Sequence, residues 1–453
     1  MEEATLFKED IMNAFFPPML LTYLEPFRQL LSSPNFSYFQ AYIWGMMMVN
    51  GRKCITNIAH ACFFLDRHIA SFERFLSENK WDMNQVARTL VRLVVETLKD
   101  KLCIYGAFLL AVDATYCAKN SKKMIGVQRW RERSSNADRQ KCCVGHHWAI
   151  AGLISNLAGR FLCFPILTMM LSGRKNPFCY VGGSDGLAPM TFWNTVLAMV
   201  FQTRQFLDER PLRVVADAYF ANASFINPLM EKGIHVITRW RKDGVGWDDP
   251  PAYSGRGRPG KYGTRWKLVE LLQAFSPQEI KVNIYGKTAH TSVVVRDMKL
   301  RYMSQKVRVV VAEGHGDTII LISTDMTLTA SQIIEIYSSR FSIEIAIRDL
   351  KQHFGFGDYQ CTTTISIMRF VRLSCVSLSI WRLMMLPGNA SSWLWEAMAT
   401  RSKMIKESQF SFARARRCLK RYVLKQFLFP KSASDAELEK VEKEYEPIFR
   451  IAA

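Results

Sequence analysis

Zinc-site signatures are missing from this sequence of 453 residues. Its eleven cysteines are an odd number, and no two of them stand at the C-x-x-C spacing or in a Cys/His cluster typical of structural zinc. Most of the cysteines lie in apolar segments, where a reduced cysteine packs as a small hydrophobic residue. The pattern therefore predicts reduced core cysteines and argues against a structural zinc site.

Long uninterrupted hydrophobic runs are also scarce. The segment Tyr42–Val49 is too short to cross a bilayer, and the stretch Trp148–Gly173 is interrupted by Asn156, Gly159 and Arg160. The first ten residues, MEEATLFKED, carry acidic side chains where a signal peptide has basic ones. We therefore expect a cytoplasmic protein that does not enter a membrane.

Acidic residues are outnumbered by basic ones. Lysine and arginine total 60 against 40 aspartates and glutamates, which gives a formal net charge of +20. Such an excess is large for a globular enzyme and favours a polyanionic partner, either nucleic acid or an anionic membrane surface. Because the sequence offers no spanning segment, nucleic acid is the stronger expectation. Apolar residues make up 49% of the chain, enough for a large core in two to four structural units.

The N-terminal region, 1–105, is predicted to be helical and to bind DNA. Its periodic segments are Tyr38–Val49, Thr56–Phe64 and Val86–Leu98. Arg52, Lys53 and Thr56 stand at the start of the second segment, where they could contact phosphate. A helix-turn-helix-like module and plain helical packing both fit this pattern.

The middle of the chain, 106–240, alternates between predicted strands and helices. In order, these are strands Phe108–Val112, Trp148–Leu157 and Phe161–Leu171, helix Phe192–Leu207, strand Leu212–Ala216, helix Ala221–Lys232 and strand Ile234–Thr238. Residues 241–325 differ, because a Gly/Pro/Arg-rich loop, Pro250–Gly263, precedes β-rich stretches. We expect an inserted β-rich subdomain there.

The last part of the chain is predicted to be helical again. Region 326–400 begins with a helix that Thr329 or Ser331 caps and that runs to about Phe354. Region 401–453 is a basic and then acidic tail, whose closely spaced cations are Arg414, Arg416, Arg417, Lys420 and Arg421. A solvated helix pair and an arm that contacts DNA or forms a dimer both fit the tail.

The helix from Thr329 carries four spaced polar residues, Tyr337, Arg340, Glu344 and Lys351, in the pattern Y-(2)-R-(3)-E-(6)-K. At about 100° per residue they fall within roughly 60° of one another and form one stripe among apolar neighbours. The opposite side, predicted to face solvent, holds Glu335, Ser338, Ser339, Ser342 and Asp349. Because unpaired buried charge is unfavourable, we expect the stripe to meet a metal ion and a phosphate, or other carboxylates.

Two aspartates are predicted to end hydrophobic strands in the same way, Asp113 in LLAVDATY and Asp217 in RVVADAYF. A carboxylate at a strand end emerges beside the loops, where ligands bind, although such an aspartate is more often a turn or cap residue. Together with Glu344, the pair would supply carboxylates for two divalent cations about 4 Å apart. Such a site activates a water or a 3′-hydroxyl and stabilises the leaving oxygen in phosphodiester cleavage.

The element order, the two aspartates and the segment YSSRFSIEIAIRDLK resemble the DDE transposases of bacterial insertion sequences, in the branch with the Y-R-E-K signature. The resemblance covers about 105–360 well and the flanks loosely. It implies an α/β fold with an RNase H-like catalytic core that a β-rich insertion interrupts. It also implies Mg²⁺, for which Mn²⁺ can substitute, and cut-and-paste transposition.

The resemblance also implies roles for single residues. By position it makes metal ligands of Asp113, Asp217 and Glu344, and phosphate-holding residues of Tyr337, Arg340 and Lys351. Arg348 and Trp240 are further DNA-contact candidates. Trp240, Trp247 and Trp266 stand beside basic residues at the start of the insertion and could stack on an unpaired base, but burial in the insertion is the stronger expectation.

Two features of the sequence carry less weight. Phe341 stands where relatives often have tryptophan and is expected to supply the same aromatic packing. His146 and His147, at the start of the second strand, are expected to be satisfied surface or core residues rather than parts of the site.

The partners implied are terminal inverted repeats and target DNA, with a homodimer in the paired-end complex. Two other functions remain open. One is a domesticated RNase H-like nuclease that cuts without transposing, and the other is a DNA-binding regulator with an inactive core. The intact set of three carboxylates argues against the regulator.

Overall fold

The computed structural model describes residues 16–65, 67–121, 123–131, 142–171, 179–180, 187–188, 191–253, 255, 258–284, 286–314, 317–386, 412–413 and 415–420. Its α-helices are α1 Pro18–Leu24, α2 Ser33–Met48, α3 Ile55–Ala61, α4 Ile69–Ser77, α5 Met83–Leu98, α6 Phe192–Phe206, α7 Ala223–Glu231, α8 Leu271–Ala274, α9 Ala330–Ser339, α10 Phe341–His353 and α11 Thr364–Met384. The helical prediction for the N-terminal region is confirmed where the structure describes it.

The strands are β1 Cys103–Ile104, β2 Ala107–Ala118, β3 Gln128–Arg131, β4 Cys142–Leu157, β5 Arg160–Leu171, β6 Cys179–Tyr180, β7 Leu187–Ala188, β8 Leu212–Ala216, β9 His235–Arg239, β10 Val245–Trp247, β11 Arg265–Lys267, β12 Gln278–Ile284, β13 Lys287–Leu300, β14 Val307–Gly314 and β15 Asp317–Ser323. In the described part of the chain, thirteen of them form one mixed sheet in the order β11-β10-β13-β14-β15-β9-β8-β2-β4-β3, with β1, β12 and β5 beside β2, β13 and β4. The fold is therefore mixed α/β, as predicted.

The centre of the sheet follows the predicted order of elements. β2 pairs with β4 antiparallel and with β8 parallel, and β8 pairs with β9 parallel. β5 pairs antiparallel with β4 through the turn at Ala158 and Gly159, both of which have positive φ. The predicted order β-β-β-α-β-α-β is confirmed.

β2 is longer than the sequence predicts. The hydrophobic run suggests a strand that ends at Asp113, whereas β2 continues to Ala118 because β4 pairs with it as far as Gly145. The prediction that Asp113 ends a strand is therefore wrong. Pairing with the parallel neighbour β8 does end there, since its last pair is Val112 with Ala216.

The strands between 241 and 325 continue this sheet. β13, β14 and β15 form an antiparallel meander, and β15 pairs with β9, so the meander is hydrogen-bonded to the central strands. The β-rich character predicted for this region is confirmed, while its status as a separate subdomain stays a prediction.

α11 lies in the core and covers the outer edge of β5. Arg372 donates to the carbonyls of Ile166 and Thr168, Ser379 donates to that of Pro165, and Arg382 bonds to the carbonyl of Cys163. Side chains thus occupy carbonyl groups that no other described strand pairs with. By length and composition α11 is apolar enough to cross a membrane, but 89% of its apolar window is buried inside the protein, as in a core helix.

Two cations for which DNA contact was one of the open alternatives are buried. Lys53 is 1% exposed and donates from Nζ to the carbonyl of Gly51, while its backbone N–H bonds to Asp358. Arg416 donates to the carbonyls of Met47 and His353 and thereby joins the tail to α2 and α10. Arg414, Arg421 and the acidic part of the tail lie outside the described residues.

The helix predicted from Thr329 to Phe354 is divided at Arg340, which separates α9 from α10. Thr329 caps α9 in a capping box with Gln332, as predicted. At the division, Ser338 and Ser339 donate their hydroxyls to carbonyls three residues earlier. Arg340 keeps helical dihedral angles (φ −53°, ψ −36°), but its N–H bonds only three residues back, to the carbonyl of Tyr337 at 3.1 Å, so the regular helical hydrogen-bond ladder is interrupted at this residue.

The solvent-facing side predicted for this helix is wrong. Ser338, Ser339 and Ser342 are buried, whereas Phe341, expected to pack, is 42% exposed. For Ser338 and Ser339, the hydroxyl satisfies its hydrogen bond within its own turn and can be buried at little cost.

Candidate active site

Asp113 and Asp217 come together through the register of β2 and β8. Each aspartate directly follows a member of the last pair, Val112 and Ala216, so the two lie side by side where the parallel pairing ends. Asp113 Oδ1 accepts the N–H of Ala114 at 2.7 Å, and Asp217 Oδ1 accepts that of Tyr219 at 3.0 Å. Both carboxylates are partly exposed and keep acceptor capacity for a ligand.

The two aspartates have raised pKa values. Burial and the negative charges of Asp217 and Glu344 together raise the pKa of Asp113 to about 7, while the bond from the N–H of Ala114 and the positive charge of Arg340 oppose the shift. The pKa of Asp217 is also raised, mainly by burial, with Arg340 and Glu344 acting in opposite directions. Asp113, Asp217, Glu344 and Arg340 therefore form one electrostatic group. A pKa displaced by both burial and specific charges is typical of functional sites.

Arg340 supplies the positive charge of this group. Its Nη2 donates to Oε1 of Glu344 at 2.6 Å, and its guanidinium lies 5.7 Å from the centre of the Tyr337 ring. The arginine is well shielded and its Nε, among the described residues, has no hydrogen-bond partner. Arg340 lies between α9, which carries Tyr337, and α10, which carries Glu344 and Lys351.

The other two members of the stripe have different surroundings. Burial raises the pKa of the Tyr337 phenol, and Arg340 lies close enough to oppose that shift. Lys351 donates from Nζ to the carbonyl of Tyr116 at 2.8 Å, three residues beyond Asp113 on β2. The structure thus gathers Tyr337, Arg340 and Glu344 and ties Lys351 to the neighbouring strand.

Arg348 and Trp240 lie outside this group. Arg348 is exposed and its contact with Asp349 is long, at 3.4 Å. Trp240 is half-buried, and its ring covers the turn at Gly244. Their contacts with DNA stay predictions.

The two other tryptophans of the insertion pack within it. Trp247 lies against Tyr262 at 4.8 Å, and Trp266 lies against Phe275 at 5.0 Å and donates to Asp248. These contacts agree with the expectation of burial in the insertion.

Both histidines are buried in the core, as expected, but the expectation of satisfied hydrogen bonds is wrong for His147, whose buried Nδ1 has no partner among the described residues. His146 is fully buried, with Nε2 at 2.9 Å from the carbonyl of Ile125 and Nδ1 at 2.7 Å from the hydroxyl of Tyr359. Because a carbonyl only accepts, Nε2 donates and Nδ1 accepts. His147 is buried between aromatic rings, and burial lowers its pKa to about 4.

Comparison with known proteins decides the family. Residues 26–299 match the DDE superfamily endonucleases. The chain belongs to this family. The matched part of this DDE endonuclease contains Asp113 and Asp217 and ends before Glu344.

More distant similarity adds little to the family assignment. No curated protein sequence matches the chain. Among solved structures, the cryo-EM structure of a piggyBac transposase synaptic complex with hairpin DNA matches at 11% identity and a TM-score of 0.34, covering 91% of this chain and 76% of that chain. This similarity is too distant to bear on the site.

DDE endonucleases generally use divalent metal ions, and the donor set of this one fits them. Carboxylate oxygens are the ligands that hard divalent cations prefer, and a cation would offset the negative charges of Asp217 and Glu344 that raise the pKa of Asp113. Within the described ranges, no three His, Cys, Asp or Glu side chains converge as a ready metal site. Glu344 instead accepts a bond from Arg340 at 2.6 Å.

Proposed function

We propose that this DDE endonuclease is the transposase of a bacterial insertion sequence, which binds terminal inverted repeats, cleaves DNA and joins the freed 3′-hydroxyls to target DNA. One observation carries the proposal: Asp113, Asp217 and Glu344, from three separate parts of the chain, belong to one electrostatic group. The net charge of +20 supports a DNA partner. Strands and helices in the order β-β-β-α-β-α-β agree with the RNase H-like core that the resemblance implies.

Each residue has a part in this proposal. Asp113, Asp217 and Glu344 would hold two Mg²⁺ ions, which lower the pKa of an attacking water or hydroxyl and offset charge on the leaving oxygen. Arg340 and Lys351 would release their present acceptors, Glu344 and the Tyr116 carbonyl, to hold phosphate oxygens of the DNA end. The partners proposed for assembly are two DNA ends and a second copy of the chain.

The test uses a plasmid that carries the coding sequence with its natural flanking DNA. In Mg²⁺ the wild-type protein should release the segment between short inverted repeats and join its 3′ ends to a second plasmid. Asp113→Asn, Asp217→Asn and Glu344→Gln should each slow strand cleavage by on the order of 100-fold or more, because each loses a metal ligand but keeps its shape.

A matched control is Asp297→Asn, which removes a carboxylate whose partner is Arg308, on the β13–β14 pair. Its cleavage rate should stay near wild type. If any of the three site variants cuts at near the wild-type rate, the proposed set of ligands is wrong. Cleavage without joined products would support the domesticated nuclease instead.

A further inference from the structure

A shielded ion pair joins α10 to α11 and has no part in the proposed chemistry. Nη2 of Arg382, on α11, donates to Oδ2 of Asp349, on α10, at 2.8 Å. The two side chains are 6% and 18% exposed. The sequence pattern places Asp349 on the side predicted to face solvent, whereas its carboxylate is mostly shielded. Water and salt screen such a pair much less than a surface pair, so its geometry is held firmly.

Arg382 also connects α10 to the central sheet. Its other terminal nitrogen, Nη1, bonds to the carbonyl of Cys163 on β5. A planar guanidinium has fixed donor directions, so a group that bonds to both Cys163 and Asp349 sets the position of one relative to the other. One side chain therefore fixes α10 against β5, the strand on which this helix packs.

α10 is held by polar bonds on two sides. Asp349 bonds to Arg382, and Lys351 bonds to the carbonyl of Tyr116 on β2 at 2.8 Å. At about 100° per residue, Asp349 and Lys351 point roughly 160° apart around the helix axis. The fully buried residues of the helix are apolar: Ile343, Ala346 and Leu350. Because apolar packing is non-directional, these residues hold the helix on the sheet without fixing its rotation.

Binding of DNA would release one of these two sides. In the proposed function, Lys351 leaves the carbonyl of Tyr116 for a phosphate oxygen. Arg416 also bonds to α10, but at the carbonyl of its last residue, His353, at the end opposite to Glu344 in the first turn. Of the two side contacts, only the one at Asp349 then remains.

We propose that Arg382 is a positioning residue, which through Asp349 sets the rotation of α10 and directs the carboxylate of Glu344 to the metal ions. The inference rests on the proposed function for the role of Glu344. Arg382 touches neither substrate nor metal and acts only through the helix. A displacement of the ligand by roughly 1 Å is enough to impair such a site.

The experiment measures binding of Mn²⁺ in place of Mg²⁺ and requires no cleavage. Free Mn²⁺ is counted by electron paramagnetic resonance in solutions of the protein with a precleaved DNA end, and the DNA alone gives the background. Arg382→Gln should weaken Mn²⁺ binding roughly tenfold, the lower end of the loss seen when outer contacts of a metal site are removed. Glu344→Gln should weaken it at least as much, since it removes the ligand itself.

The matched control is Arg372→Gln. Arg372 lies on the same helix, is 3% exposed and also bonds to carbonyls of β5. None of the bonds that the structure describes for it reaches α10. Arg372→Gln should therefore lower the unfolding temperature but leave Mn²⁺ binding by the folded protein unchanged. A loss of binding as large as that of Arg382→Gln would show that any damage to α11 weakens the site, and would overturn the proposal.

A double variant separates rotation of the helix from folding. Asp349→Leu with Arg382→Met replaces the ion pair by apolar side chains, a change that is often neutral or stabilising in a protein interior. The double variant leaves no unpaired charge, but no directional bond fixes α10, so its Mn²⁺ binding should stay roughly tenfold weaker than wild type. Asp349→Asn, which keeps the shape of the side chain, should weaken binding in the same direction. Wild-type binding by either variant would contradict the positioning role.

The positioning role and the proposed function fail separately. If Glu344→Gln weakens Mn²⁺ binding and Arg382→Gln does not, the positioning role is wrong and the ligand set stands. If both weaken it in a protein that cuts DNA but never joins the ends, the positioning role is supported and the transposase proposal is refuted. If Glu344→Gln leaves Mn²⁺ binding unchanged, Glu344 is not a ligand and both proposals are wrong.

Discussion

Glu344 and Arg340 are each other's partners: Nη2 of the arginine donates to Oε1 of the glutamate at 2.6 Å, four residues along the chain. The proposed function gives them different ligands, a metal ion for Glu344 and a phosphate for Arg340. Since each must leave the other to bind its ligand, binding of metal and of DNA should favour one another. This coupling would be absent if either residue were replaced by a neutral one.

Arg340→Gln should lower the free energy of unfolding by about 1 kcal/mol, because three carboxylates lose their shared cation while the exposed part of Glu344 remains screened by solvent. Urea denaturation measures the change. In the Glu344→Gln background the same substitution should cost less, since one of the three negative charges is gone. Arg348→Gln, on the exposed side of α10, should stay within about 0.5 kcal/mol of wild type. Equal losses in both backgrounds would show that Arg340 and Glu344 do not interact.

Arg340→Ala and Lys351→Ala should each weaken assembly on a precleaved DNA end, because each loses a charge-assisted contact worth roughly 1.5 to 3 kcal/mol. Tyr337→Phe should cost less, about 1 kcal/mol, and Glu344→Gln should not weaken assembly. Paired-end complexes are counted on a native gel in Ca²⁺. If both alanine variants assemble normally but unfold at lower temperature, these cations serve only the fold.

Arg416 and Arg417 are neighbours in sequence but should differ in effect. Arg417 is exposed, so Arg417→Gln should reduce the slope of log affinity against log salt by roughly 0.9 without loss of stability, if the tail contacts DNA. Arg416 is buried on two backbone carbonyls, so Arg416→Gln should cost on the order of 2 kcal/mol of stability. Salt titrations of DNA binding measure the slope for both variants, and thermal unfolding measures their stability. An unchanged slope for Arg417→Gln would leave the tail as a packing element.

His147 should make the fold sensitive to acid. Its pKa falls from 6.5 to about 4 because burial disfavours the imidazolium, so the folded state binds fewer protons than the unfolded state between these values. The contribution of neutral His147 to stability is fully present above pH 6.5. As the pH falls towards 4 this contribution is lost, and the free energy of unfolding decreases by on the order of 3 kcal/mol. His147→Phe keeps a ring beside Tyr116 and should flatten the unfolding profile in this window. The exposed His290→Phe should not, and equal profiles for both variants would contradict the assignment.

The sequence predicts most of the central fold because the spacing of apolar residues along the chain indicates which side chains are buried. β5 and β8 alternate or run apolar over their full length, and the predicted bounds differ from the structure by at most one residue. α4 was not predicted, although Phe72, Phe75 and Leu76 are buried on one face, because the whole helix has only 9 residues. The extension of β2 beyond Asp113 depends on pairing with β4, from Ala114 with Ala149 to Ala118 with Gly145, and a local pattern does not contain that information.

The site was predictable in its residue types but not in its contacts. The spacing of Arg340 and Glu344 places them one helical turn apart, but it does not show that the hydrogen-bond ladder is interrupted at Arg340, next to two serine hydroxyls that bond to their own backbone. The same serines explain why a polar face is buried. The bond between Asp349 and Arg382 was not predictable either, because it depends on how α11 packs beside α10.

The side chains of α11 that occupy the carbonyls of β5 have a consequence for aggregation. A bare edge strand pairs readily with strands of other molecules. Arg372, Ser379 and Arg382 close this edge only while α11 is folded. Partial unfolding that detaches α11 would expose an apolar strand with free carbonyl groups, so heat inactivation should be irreversible and faster at higher protein concentration. Soluble expression of this protein therefore depends on one helix as much as on the sheet that it covers.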